Sequence, residues 1–181
     1  MSKTSAVAAK ALTSSHFELF GLAPAFALDP ARLDAAYRDI QAQVHPDRYA
    51  HAGEAERRAS LQMTTRVNEA YRTLKSPVRR AQYLLELNGV DVAFESNTAM
   101  PREFLMQQME LREQLEQAKN GAELDLIARN LSVERREIES QIREKIDGDR
   151  DFAAAKDLVR KLMFLERFGE DIDAAYEALE A

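Results

Sequence analysis

The chain has 181 residues, a formal net charge of −6, 31% charged and 45% hydrophobic residues, and no cysteine. That balance suits one domain or two small ones facing water; it argues against a general nucleic-acid binder and excludes disulfide frameworks, thiol nucleophiles, thiolate zinc sites and cysteine-ligated clusters. No apolar run approaches the roughly 20 residues that span a bilayer, and long stretches rich in Ala, Leu, Glu, Arg and Gln point to an all-α protein.

Residues 1–14 are rich in Ala, Ser and Thr, carry Lys3 and Lys10, and have neither arginine nor an apolar core, so they read as a disordered extension rather than a targeting peptide. A short helix is expected near Ser15 to Phe20. Asp29-Pro30 then supplies an N-cap and a proline at the first helical position. Leu33, Tyr37, Ile40 and Val44 recur at helical spacing behind it as one buried stripe, which predicts a helix from Pro30 to Val44. Pro46 has no N–H and pushes His45 out of the α region, so that helix must stop there. The loop from His45 to about Gly53 leads into a helix over Glu54 to Lys75, and Ser76-Pro77 opens another that ends at the stop signal Asn88-Gly89.

These segments make a first domain over 15–89. Residues 90–100, with Ser96, Asn97 and Thr98, lack helical periodicity and form the candidate linker. A second domain over 101–181 follows as helices from about Pro101 to Lys119, Ala122 to Ile146 and Asp149 to Leu179. Asn120-Gly121 and Asp147-Gly148 separate them, and a further interruption is expected at Gly169. Short turns between long amphipathic helices imply an antiparallel three-helix bundle.

His45-Pro46-Asp47 sits at the tip of the helical hairpin in the first domain. A plain turn accounts for the proline and the aspartate but not the histidine. His45 oriented by Asp47 is the residue pair of a general base, and adding His51 suggests a metal site, but a solvent-exposed tip suits protein recognition better than either.

The second domain carries apolar residues on an unexpected side. With about 100° per residue, Leu111, Leu115 and Ala118 fall within about 40° of Phe104 and form a core stripe. Leu105, Met109 and Met106 fall at about 100°, 140° and 200°, beside Glu113 and Glu116. In the last helix Ala155, Leu158, Val159, Leu162 and Leu165 share one side, with Phe164 and then Phe168 almost opposite. Either a second layer covers these residues or they form a partner surface; the second is the sharper expectation.

Phe17-Glu18-Leu19-Phe20-Gly21-Leu22, Val44-His45-Pro46-Asp47-Arg48 and Asn68-Glu69-Ala70-Tyr71, with Leu74, Pro77, Arg80 and Tyr83, resemble the J-domain family, the co-chaperones of DnaK-type ATPases. Beyond them, Arg80 to Leu85, Phe104-Leu105-Met106 and Met109 to Glu113 are similar to the HscB family, the J-proteins of iron–sulfur cluster assembly, over nearly the whole chain. The resemblance implies an N-terminal J-domain with an exposed triplet, a C-terminal helical bundle, and no catalysis or cofactor of its own. It also implies that His45, Pro46 and Asp47 meet a DnaK-type chaperone, HscA, and promote its ATP hydrolysis. Arg38, Gln41 and Arg48 would supply the basic face the family uses there, although Asp34 and Asp39 share that helix and Val44 stands where an aromatic residue is common. Leu105, Met106, Met109, Glu110, Glu113 and Phe164 would hold the scaffold protein IscU. A cytoplasmic monomer is expected. The alternative is a general J-protein that delivers unfolded clients captured on the methionine-rich patch.

Overall fold

The computed structural model describes residues 14–49, 52–92 and 101–180. His51, most of the expected N-terminal extension and residues 93–100 of the expected linker lie outside them. The protein is all-α, with no strand among the described residues. It divides into two compact units, residues 1–84 and 85–181.

In the first unit, α1 (His16–Leu19), α2 (Pro30–Val44) and α3 (Glu54–Lys75) are followed by α4 (Pro77–Leu87), along which the division falls. α1 is held at both ends. The Ser15 hydroxyl accepts the Glu18 N–H at 3.2 Å while the Glu18 carboxylate accepts the Ser15 N–H at 2.7 Å, a reciprocal capping box. At the other end Gly21, with φ 64°, lets the Leu22 N–H reach the Phe17 carbonyl at 2.9 Å. α2 starts where the sequence places it, with the Asp29 carboxylate accepting the Ala31 N–H at 2.9 Å. Its stripe is graded: Leu33 and Val44 are buried, whereas Tyr37 and Ile40 are half-buried. α2 packs on α3, whose Met63, Val67, Ala70 and Leu74 point into the core with Phe17 and Phe20.

A polar clamp fastens the proximal part of that hairpin. Lys75 Nζ reaches both carboxylate oxygens of Asp34, at 2.6 and 2.9 Å, the Tyr71 hydroxyl donates to the same carboxylate at 3.0 Å, and the Tyr37 and Tyr71 rings stack at 4.0 Å. The hydrogen bonds from Lys75 and Tyr71 hold the Asp34 carboxyl below its ordinary range, and the bond to Asp34 raises the Lys75 ammonium in turn.

The second unit contains α5 (Arg102–Gln117), α6 (Gly121–Arg143) and α7 (Phe152–Glu180). The expected breaks at Asn120-Gly121 and Asp147-Gly148 are present. Asn120 caps α6 by accepting the Glu123 N–H at 3.0 Å, and a π turn over Glu144–Gly148 ends it. α7 runs through Gly169 without interruption, contrary to the expected break. One glycine in a long helix costs only about 1 kcal/mol, and here the helix is held on both flanks by the buried Phe168 and Ile172. α6 and α7 form the principal pair, closed near the start of one and the end of the other by a hydrogen bond from the Tyr176 hydroxyl to Asp125. Leu124, Ile127, Leu131, Ile138 and Ile142 supply the α6 face. α5 buries only Phe104 fully, so Leu111, Leu115 and Ala118, expected as core, are half-buried.

Candidate functional site

The His45-Pro46-Asp47 tip leaves the last carbonyls of α2 without their helical partners. In a regular helix the carbonyls of Ala42, Gln43 and Val44 would accept the N–H groups of residues 46, 47 and 48. Pro46 has none, the Asp47 N–H turns to His45 Nδ1 at 3.3 Å, and the Arg48 N–H closes a tighter turn on the His45 carbonyl at 3.1 Å. A 3-10 turn over Pro46–Tyr49 results. Each stranded carbonyl meets a side-chain donor instead: Ala42 accepts from the Arg48 guanidinium at 2.9 Å and Gln43 from the Tyr49 hydroxyl at 3.2 Å. Val44 accepts from the hydroxyls of Ser60 at 2.7 Å and Thr64 at 3.2 Å, both on α3.

The loop so held presents its polar groups outward. The side chains of His45 and Asp47 are 52% and 91% exposed, and His45 Nδ1 lies 3.5 Å from the Asp47 carboxylate. A pair this open lacks the water-poor surroundings that general-base chemistry exploits. Among the described residues no group of three potential metal ligands gathers.

Arg38 and Arg48 are exposed, but Gln41 is not on the outward basic face expected of it. Its amide donates to the Tyr37 hydroxyl at 2.7 Å and to Asn68 Oδ1 at 3.0 Å, inside a polar cluster between α2 and α3. The physical reason is the half-buried Tyr37 hydroxyl one turn earlier, which with Asn68 needs a third hydrogen-bonding partner at the helix interface. Arg48 is exposed but already committed to a backbone carbonyl, which makes it part of the loop's framework as well as its surface.

On α5 the unexpected apolar side is present. Met106 and Met109 are 51% and 65% exposed, Leu105 is half-buried beside them, and Glu110 and Glu113 stand in solvent. Phe164 is not part of that surface, contrary to expectation. It is buried, meeting Phe104 edge to face at 5.6 Å and stacking on Phe168 at 6.0 Å. α7 has apolar residues on opposite sides because α6 covers one and α5 the other. A single-helix wheel cannot distinguish that second layer from an open face.

Ser60, Thr64 and Tyr49 were missed as parts of the tip. Their signal was the missing N–H of Pro46 together with a pair of hydroxyls spaced by four residues on the facing helix.

Comparison with known proteins follows the same division. The DnaJ domain family model matches residues 15–83, and that described as the HSCB C-terminal oligomerisation domain matches residues 100–173. A protein of Burkholderia thailandensis named co-chaperone protein HscB homolog is 53% identical over 172 residues, covering 93% of this chain and 98% of its own. The chain belongs to the HscB co-chaperone family. A homolog of the same name from Aromatoleum aromaticum is 49% identical, over 93% of this chain and 97% of its own. Among solved structures, HscB from Vibrio cholerae superposes with a TM-score of 0.82 at 36% identity, covering 92% of this chain and 99% of its own. The human co-chaperone HscB gives 0.86 at 30% identity, with 90% and 82% covered. As a J-domain co-chaperone of this family, the chain has a DnaK-type chaperone as its partner.

Proposed function

We propose that this HscB-family chain is a two-ended adaptor that brings the iron–sulfur scaffold protein IscU to the DnaK-type ATPase HscA in the cytoplasm and stimulates hydrolysis there. His45, Pro46, Asp47 and Arg48 dock on the ATPase with Arg38 beside them. Their effect is differential binding: the tip favours the hydrolysis-competent form of its partner, and only such a preference raises the rate. The J-protein itself makes and breaks no bond. The single observation behind this reading is the tip: an imidazole and a carboxylate held outward by a proline and by side-chain bonds to every stranded carbonyl.

Leu105, Met106 and Met109, bordered by Glu110 and Glu113, hold the scaffold. Burial of each large apolar side chain is worth about 1.5–3 kcal/mol, and methionine adapts to its partner's contour. Phe164 serves this surface from beneath, by seating α5. Holding both partners at once raises the scaffold's effective concentration at the chaperone.

Steady-state HscA turnover, measured with and without IscU, tests the division of labour. His45→Gln is expected to abolish stimulation while scaffold binding survives, and Leu105→Ala combined with Met109→Ala to weaken scaffold binding while leaving stimulation by the J-domain in place. Loss of both activities in both folded variants would sink the two-ended reading. Displacement of IscU from the bundle by an unfolded peptide would favour general client delivery instead.

A further inference from the structure

We infer that Ser60, Thr64 and Tyr49 are positioning residues for stimulation of the ATPase, acting by holding the end of α2 and thereby the His45-Pro46-Asp47 turn. The inference rests on the reading that this turn is the chaperone-docking element, and it extends that function to groups that need not touch the chaperone. Pro46 strands the Ala42 carbonyl, and the tight turn that displays His45 strands those of Gln43 and Val44. Left to water, the three would let the last turn of α2 fray and the tip sample many conformations.

The structure supplies donors from two directions. Arg48 and Tyr49 reach back from within the turn to Ala42 and Gln43. Ser60 and Thr64 reach across from α3 to the single carbonyl of Val44. Ser60 is a buried polar residue whose hydroxyl makes the principal bond to that carbonyl, while the Thr64 hydroxyl shares its one proton between the Ser60 carbonyl at 2.9 Å and the Val44 carbonyl at 3.2 Å. The register of the exposed triplet is thereby tied to the rigid helix facing it. A turn ordered in advance loses less conformational freedom on docking, so the benefit falls on affinity more than on the rate once docked.

The test is steady-state turnover of a purified DnaK-type HscA chaperone titrated with the full chain, read as half-maximal concentration and maximal stimulation separately, with amide exchange at Arg48 as a chaperone-free readout. Ser60→Ala with Thr64→Val is expected to raise the half-maximal concentration about tenfold and leave the maximum within about twofold, with faster exchange at Arg48. Ser60→Thr with Thr64→Ser keeps both hydroxyls and is expected to stay within about twofold of the parent. Tyr49→Phe removes one partly exposed donor and should give about a threefold rise; it decides the matter if the double variant fails to fold. Faster exchange with unchanged half-maximal concentration would overturn the inference and leave the docking function of the triplet standing. Full stimulation by His45→Gln would overturn that function, and the inference with it. A rise accounted for entirely by the unfolded fraction, measured by circular dichroism, would reduce the hydroxyls to a merely structural role and also overturn the inference.

Discussion

Phe104 of α5 and Phe164 of α7 meet edge to face, with ring centroids 5.6 Å apart and planes at 87°. Phe104 is the only fully buried residue of α5, and it is joined by a hydrogen bond from Gln107 to Glu134 of α6 at 2.7 Å and by the Arg112 guanidinium over the Phe164 ring at 5.9 Å. A helix carrying an exposed apolar surface is thus seated on one buried aromatic anchor, the half-buried Leu111 and Leu115, and a few polar contacts. Phe164→Ala is therefore expected to lower the stability of the second unit by about 3–5 kcal/mol, in the range for buried aromatic truncations. Met109→Ala, at a largely exposed position, should cost less than about 0.5 kcal/mol. Urea unfolding followed by helical circular dichroism separates the two. Equal destabilisation by both, or by neither, would show that Phe104 and Phe164 do not anchor α5.

His16 supplies a pH-dependent term in the first unit. Its ring is buried and stacked on Tyr83 at 4.2 Å, and Nδ1 has no hydrogen-bond partner among the described residues. Burial first, then the nearby Arg66 cation, push its pKa below the ordinary histidine value of 6.5, and the Glu69 carboxylate opposes them more weakly. The unfolded chain therefore binds the proton more readily than the folded one, so stability rises with pH between the lowered value and 6.5. On acidification this contribution is intact above that window and is lost as pH falls from 6.5 through it. Denaturant midpoints at pH 7.5 and pH 5 should differ more for the wild type than for His16→Phe, which keeps an aromatic ring against Tyr83 and has no proton to gain. An identical pH dependence in both proteins would rule His16 out as its source.

Much of the architecture was legible because it follows from backbone chemistry. Pro30, Pro46 and Pro77 mark helix boundaries through a missing N–H and a fixed φ. Gly89, at φ 73°, lets the Val90 N–H fold back onto the Leu85 carbonyl at 2.9 Å, which ends α4 at the place that Asn88-Gly89 predicts. What the pattern could not resolve was layering. Phe164 and Gln41 were each assigned an open face from a single helix, yet Phe164 lies under α5 and Gln41 faces Asn68 on α3. Gly169 misled for the opposite reason: a local breaker signal was overridden by packing along both flanks of α7. The displayed triplet was readable from Pro46 together with the helix patterns on either side of it, whereas the hydroxyls that hold it come from a helix that begins after the loop and depend on pairing across the hairpin.

Arg38 and Gln41 lie less than one turn apart on α2 and were expected to act together, but their surroundings separate them. Arg38 is exposed, whereas Gln41 is tied to Tyr37 and Asn68. If Arg38 steers the tip toward the chaperone by its charge, its contribution is long-range and screened by salt, with a Debye length of about 10 Å at 0.1 M. Arg38→Glu is then expected to raise the half-maximal concentration for ATPase stimulation about tenfold at low salt, with the difference shrinking toward about twofold at 0.5 M salt and the thermal midpoint unchanged. Gln41→Ala should behave oppositely, lowering the thermal midpoint by leaving Tyr37 and Asn68 short of a partner, with no change in the salt dependence of stimulation. A salt-independent defect in Arg38→Glu would assign that residue a short-range contact rather than steering, and wild-type behaviour at every salt concentration would remove it from the docking face.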